Sequence, residues 1–119
     1  MIKFYAGLHV TDFPVKDLHV TTMFSDLVPT SRLYGGIESG LAKVIDVQYW
    51  KEPDITVLKL KAPIAVRHYN DYTELGFIYD HEYIPHATLC KGNQKNKYLG
   101  LIGEVMTLSD PYVRLFEVK

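Results

Sequence analysis

Two short segments of the chain repeat one chemical device: His19-Val20-Thr21 and His86-Ala87-Thr88 each set a histidine and a threonine two positions apart. Side chains of an extended strand alternate with period two, so each imidazole shares a face with its own hydroxyl. Imidazole titrates near physiological pH, so one histidine of a pair can accept a proton while the other donates one. Displacement at phosphorus needs both services, one at the attacking oxygen and one at the leaving oxygen on the opposite side. Threonine hydroxyls can donate hydrogen bonds to the non-bridging oxygens as negative charge develops there. His19, Thr21, His86 and Thr88 are therefore the expected catalytic set, and the expected chemistry is cleavage of a phosphodiester without a metal. No cluster of histidines and carboxylates has zinc-finger or zincin spacing, and no metal or other cofactor is expected.

A lone His-x-Thr carries little weight, and the chain supplies its own control. His9-Val10-Thr11 has the same spacing but runs into Asp12, Phe13 and Pro14 instead of continuing an apolar strand, so it reads as coincidence. His9 still shares a face with Tyr5 and is expected to line a substrate groove. His68 and His81 lack a hydroxyl partner at spacing two and read as surface or helix-end residues. Glu82 reads equally as a group that orients an imidazole or a ribose hydroxyl and as a solvated loop carboxylate. Lys91 and Lys95 read as solvent-facing.

The elements that must position these groups follow from periodicity. Residues 2–10 form a strand with Phe4, Ala6, Leu8 and Val10 on a core face and Tyr5, Gly7 and His9 on the other. Residues 18–25 form a second strand, with Leu18, Val20, Thr22 and Phe24 opposing His19, Thr21, Met23 and Ser25. The stretch 26–40, with Pro29, Gly35, Gly36 and Gly40, reads as a long loop. Strands at 42–51 and 54–61 make a hairpin with Trp50 at its tip. Pro63 opens a helix whose apolar stripe is Ile64, Tyr69, Tyr72 and Leu75, and Gly76 stops it. Residues 86–91 form the second motif strand, with His86, Thr88 and Cys90 opposite Ala87 and Leu89. A polar turn over 92–97 leads to two last strands near 101–108 and 112–118.

Composition bounds the function. At 119 residues the chain is sized for one domain, 1–119, with no linker that would divide it. Thirteen basic residues against fourteen acidic give a formal charge of −1, which argues against a broad electrostatic grip on duplex nucleic acid but suits a small ligand with few phosphates. No apolar run approaches the roughly 18 residues of a membrane span, and no secretory leader opens the sequence. A cytoplasmic protein without membrane contact is expected, as a monomer or weak homo-oligomer. The single Cys90 excludes an internal disulfide.

Three stretches carry a family resemblance: Lys3-Phe4-Tyr5-Ala6-Gly7-Leu8, Leu18-His19-Val20-Thr21-Thr22-Met23-Phe24-Ser25, and Glu82-Tyr83-Ile84-Pro85-His86-Ala87-Thr88-Leu89. They resemble the 2H phosphoesterase superfamily, named for its two His-x-Thr/Ser motifs. Within it they are most similar to the phage anti-CBASS phosphodiesterases, which destroy the cyclic oligonucleotide alarm signals of bacterial antiphage defence. The resemblance implies an α+β fold with few helices, a bilobal, pseudo-symmetric pair of antiparallel sheets whose histidines face each other across a central groove. It implies hydrolysis of a 3′-5′ bond in a cyclic di- or trinucleotide by His19, Thr21, His86 and Thr88, with Tyr5 stacking on a base. The family places a further aromatic base contact near the C-terminus. This chain has no tryptophan there, and Phe116, Trp50 or Tyr34 would have to supply it. Two other functions fit the same residues: hydrolysis of 2′,3′-cyclic phosphate ends of RNA or another small nucleotide, and sequestration of a nucleotide without turnover.

Overall fold

The computed structural model describes residues 2–25, 39–77 and 82–117, the side chains of 2, 3 and 115–117 excepted. Six strands, β1 (Ile2–Thr11), β2 (His19–Ser25), β3 (Gly40–Trp50), β4 (Ile55–Lys61), β5 (His86–Lys91) and β6 (Val105–Glu117), pair antiparallel in the order β1-β2-β5-β4-β3-β6 and close into a barrel. Helices are few: α1 (Pro63–Glu74), the four-residue α2 (Lys95–Tyr98) and a 3-10 turn, Leu99–Leu101. None of them is long and apolar enough to cross a membrane, among the described residues. Where the resemblance implies two sheets, hydrogen bonding here runs on from one to the other. The pairing is nevertheless uneven. β1 pairs along its length with β6 and over six positions with β2, and β4 is likewise flanked by β3 and β5. By contrast β2 meets β5 only at Val20–Ala87, and β3 meets β6 over Gly40–Lys43. The barrel thus consists of two three-stranded halves, β6-β1-β2 and β3-β4-β5, with a motif strand at the edge of each.

Apolar alternation builds these strands as expected where the ladder is regular. Phe4, Ala6 and Leu8 of β1 are buried while His9 is exposed. The main core joins Leu8, Val20, Val44, Val47, Leu58, Ala87 and Leu108 inside the barrel. A second cluster joins Phe4, Ala6 and Met23 to Tyr72 of α1 and to Phe77, with the Phe4 and Phe77 rings 4.1 Å apart. Helix α1 also sends Ile64 and Ala65 into the main core, so it ties the two clusters together.

Four expectations are corrected. In β2 the alternation breaks at a β-bulge: Gly7 faces Thr21 but Ala6 faces Met23, leaving Thr22 as the extra residue. Met23 and Ser25 are consequently buried and Phe24 is 40% exposed, the reverse of strict period two. In β5 a shift opposite Leu89 ends the alternation after Thr88 and leaves Leu89 and Cys90 both half-buried. The two last strands are one, β6, which crosses Asp110 and Pro111 by an irregularity with Asp110 at φ +52°, while the segment from Leu99 to Leu101 is a 3-10 turn. Finally, His68 is not at the surface: it lies on α1 between Ile64 and Tyr72 at helical spacing and is 1% exposed. Most of the 26–40 loop, Tyr34 and His81 lie outside the described residues.

Candidate functional site

Val20 and Ala87, the middle residues of the two motifs, are fully buried and form the single pair between β2 and β5. The histidines and threonines on either side must therefore project from the other face of the sheet. Antiparallel order about that pair sets His19 on the Thr88 side and Thr21 on the His86 side. The two imidazoles belong to residues diagonal across the seam, a relation in which strand geometry places neighbours about 7–8 Å apart, their Cβ atoms somewhat closer. All four expected groups are thus brought to one face of the sheet: His19 and Thr88 are exposed, Thr21 and His86 half-buried.

Each histidine has its own surroundings. The His86 Nδ1–H donates to the Ile84 carbonyl at 2.7 Å. A carbonyl only accepts, so Nδ1 carries a proton in either charge state and Nε2 is left for chemistry. Trp50 lies against this ring with centroids 4.5 Å apart. Burial pulls the His86 pKa below 6.5, opposed by the bond to Ile84. His19 is likewise pulled below 6.5, first by burial and then by the positive charge of His9, Arg114 and His86. His86 is the smallest of these influences on His19, and His19 is not among the causes of the shift at His86.

Around His19 stands an aromatic cluster. Tyr5 and Tyr112 each meet its ring edge-on at 6.2 Å, and Tyr112 also lies 4.7 Å from His9. Thr21 Oγ1 donates to the Tyr5 hydroxyl at 2.9 Å, and the Tyr112 hydroxyl reaches the same oxygen at 3.3 Å. The Tyr112 pKa is pushed well above the usual phenol range by burial and by its bond to Tyr5, so it stays a donor. Tyr83, from the segment before β5, donates to the Thr21 carbonyl at 2.6 Å and stacks on Tyr69 of α1 at 4.5 Å. That bond bridges the two halves beside their thin seam.

Of the expected substrate-binding residues, Tyr5 and His9 lie beside His19, His9 directly opposite it in register. Its partner in the third His-x-Thr, Thr11, is turned to Thr107 at the far end of β1. Glu82 is exposed in the segment leading to β5. Phe116 pairs with Lys3 on β6, and its side chain lies outside the described residues. Three contributors escaped the sequence reading. Tyr112 was hidden because its strand was split. Phe24 comes beside Tyr5, ring centroids 6.2 Å apart, only through the bulge. Gly7 matters because a Cβ there would stand 2.5 Å from the Tyr112 hydroxyl and 2.7 Å from the Val20 carbonyl. A glycine inside an alternating strand is the signal that marks such a close approach.

A separate concavity of about 560 Å³, bounded by Ile45, Leu60, Pro63, Val66 and Arg67, is lined by none of the four motif side chains. Among the described residues, no group of three or more His, Cys, Asp or Glu is placed to hold a metal ion.

Among curated proteins none matches this chain. The family model of the anti-CBASS protein Acb1 matches residues 5–106, a span that takes in both His-x-Thr strands, Tyr5, Gly7 and Trp50. By that match over most of its length, the chain belongs to the anti-CBASS protein Acb1 family.

Proposed function

We propose that this protein is a phosphodiesterase of the two-histidine type, which hydrolyses 3′-5′ bonds of cyclic di- or trinucleotide second messengers and thereby disarms CBASS immunity in the cytoplasm of a phage-infected host. The observation that carries this reading is the Val20–Ala87 pair. It sets one His-x-Thr on each side of a single seam with the reactive groups turned from the core. Antiparallel pairing at Val20 and Ala87 relates His19 to His86 and Thr21 to Thr88, which supports reading residues 1–119 as one pseudo-symmetric, bilobal 2H domain.

In the reaction, one neutral imidazole takes the proton of the attacking oxygen as that oxygen bonds to phosphorus. The bond to the leaving oxygen breaks, and the other imidazole, protonated, gives that oxygen its proton. Thr88 donates to a non-bridging oxygen, Thr21 does the same once its hydroxyl turns from Tyr5 to the substrate, and Tyr5, freed of that bond, joins the substrate-binding wall with His9. Lowered pKa values keep an imidazole in the basic form at neutral pH, and the negative phosphodiester restores the proton affinity of its partner. No metal takes part in this scheme.

The test is a product screen at neutral pH with excess chelator, using cyclic dinucleotides, cyclic trinucleotides and an oligonucleotide ending in a 2′,3′-cyclic phosphate. Cyclic oligonucleotides are expected to be linearised at a rate the chelator does not change. His86→Ala is expected to lose on the order of a hundredfold or more in rate. Consumption of only the 2′,3′-cyclic phosphate would move the substrate to RNA ends. Binding without turnover, unaltered by His86→Ala, would leave a sequestering protein.

A further inference from the structure

Three consecutive residues ahead of β5 each fasten a different part of the site. The Pro85 carbonyl accepts from the Leu60 amide of β4 at 2.9 Å, the Ile84 carbonyl accepts from His86 Nδ1–H at 2.7 Å, and the Tyr83 hydroxyl donates to the Thr21 carbonyl of β2 at 2.6 Å. Proline fixes its own φ and disfavours helical backbone at the residue before it, so the segment has little freedom between these anchors. The first two bonds stay within the half that carries His86. The third crosses to the half that carries His19. Thr21 stands one residue past Val20–Ala87, the single backbone pair between β2 and β5 among the described residues, so the phenol bonds its carbonyl where that ladder has already ended. The Tyr83 ring is itself held. It lies flat on Tyr69 of α1, planes 6° and centroids 4.5 Å apart, and packs against the main core. Packing asks only for the ring, which phenylalanine would supply. The hydroxyl is the part that spans the seam.

We infer that Tyr83 is a positioning residue for the reaction: through its bond to the Thr21 carbonyl it holds the His19–Thr21 motif in place against the segment that orients His86. Base and acid must stand on opposite sides of one phosphorus, and a misplacement of about 1 Å is enough to cost on the order of a hundredfold. The Thr21 hydroxyl, bonded to Tyr5 in the free protein, has to turn to the substrate, and it turns about a peptide that Tyr83 keeps still. This role rests on the phosphodiesterase reading and adds to it a residue that acts through Thr21 and not on the substrate.

Tyr83→Phe keeps the ring and removes only the bond. With cyclic di-AMP as substrate it is expected to lower kcat about tenfold and to leave KM within about twofold, in protein shown by urea unfolding to be folded under the assay conditions. The deciding measurement is the same substitution beside Thr21→Val, which deletes the hydroxyl that Tyr83 positions. There Tyr83→Phe is expected to change kcat by no more than about twofold, because the two residues act as a unit. Tyr69→Leu leaves the bond but removes the stack that steadies it. It is expected to lower kcat about threefold, and to lose that effect beside Thr21→Val as well. Where Tyr83→Phe does not fold, this second pair of measurements decides in its place. An unchanged kcat, or a loss that persists in full beside Thr21→Val, would overturn the positioning role and leave the phosphodiesterase reading standing. Failure of the unaltered protein to turn over any cyclic di- or trinucleotide or a 2′,3′-cyclic phosphate end would remove that reading and the positioning role with it.

Discussion

His19 and His86 are pulled below the ordinary imidazole value of 6.5 by burial, and His19 further by the cations about it. The proposed mechanism requires one imidazole neutral and the other protonated in the free protein, so kcat/KM should peak on the acid side of 6.5. Bound phosphodiester carries negative charge that favours imidazolium, so the kcat profile should lie at higher pH than the kcat/KM profile. Steady-state rates across the pH range check this, and a kcat/KM maximum on the alkaline side of neutral would contradict it. Gly7 makes a second prediction. Its substitution by alanine forces Tyr112 or β2 aside, since the added carbon meets both the phenol oxygen and the Val20 carbonyl. Gly7→Ala should cost roughly 1–3 kcal/mol of stability, measured by denaturant unfolding, and lower turnover through the displaced Tyr112 and His19. That the four motif side chains share a face of their strands was legible because spacing two is a property of any strand, and that repetition needs no tertiary knowledge. Tyr112 was not legible, because what makes it part of the site is the register of β6 on β1.

Among the elements, β2 shows where local pattern gives way. Period two holds from Leu18 through Thr21 and would then bury Phe24. The bulge at Thr22 turns Met23 inward instead, onto Ala6 and the Tyr72 cluster. Nothing in the composition announces it, since Thr, Met, Phe and Ser fit either face. The bulge leaves Thr22 Oγ1 buried and without a hydrogen-bond partner among the described residues. Replacing the hydroxyl by a methyl group removes that desolvation cost, so Thr22→Val should raise stability by about 1 kcal/mol, seen as a higher denaturation midpoint at unchanged slope. An unchanged or lowered midpoint would count against it. In β6 the pair Asp110 and Pro111 was read as a break, a sound reading for a central strand. Proline is admitted at bulges, however, and Asp110 takes up the left-handed backbone that lets the strand run on. Helix α1 ended where Gly76 says it should. Its buried face was misjudged, because Ile64, His68 and Tyr72 stand four apart and a histidine among apolar residues was left out of the stripe.

For the molecule as a whole, that histidine governs acid stability. Burial holds the His68 pKa at about 4, against 6.5 for the unfolded chain, with Arg67 lowering it further and Asp71 opposing. Between those values the unfolded chain binds the proton and the folded one does not, so stability falls as pH drops from 6.5 towards 4 and the effect is complete below that. The total is on the order of 3 kcal/mol. Urea unfolding at neutral pH and near pH 4 checks it, and His68→Gln should flatten the dependence. Closure of the barrel was beyond reach of the sequence, since alternation tells which face of a strand is buried and never which strand lies beside it. That closure leaves a thin place. The motif side chains sit over the stretch where, among the described residues, backbone pairing between the halves is a single pair, with the Tyr83 bond beside it. If the proposed function holds, a ring-shaped substrate touching both sides would supply the rungs the ladder lacks, so that it would strap the barrel shut and its cleavage would loosen it.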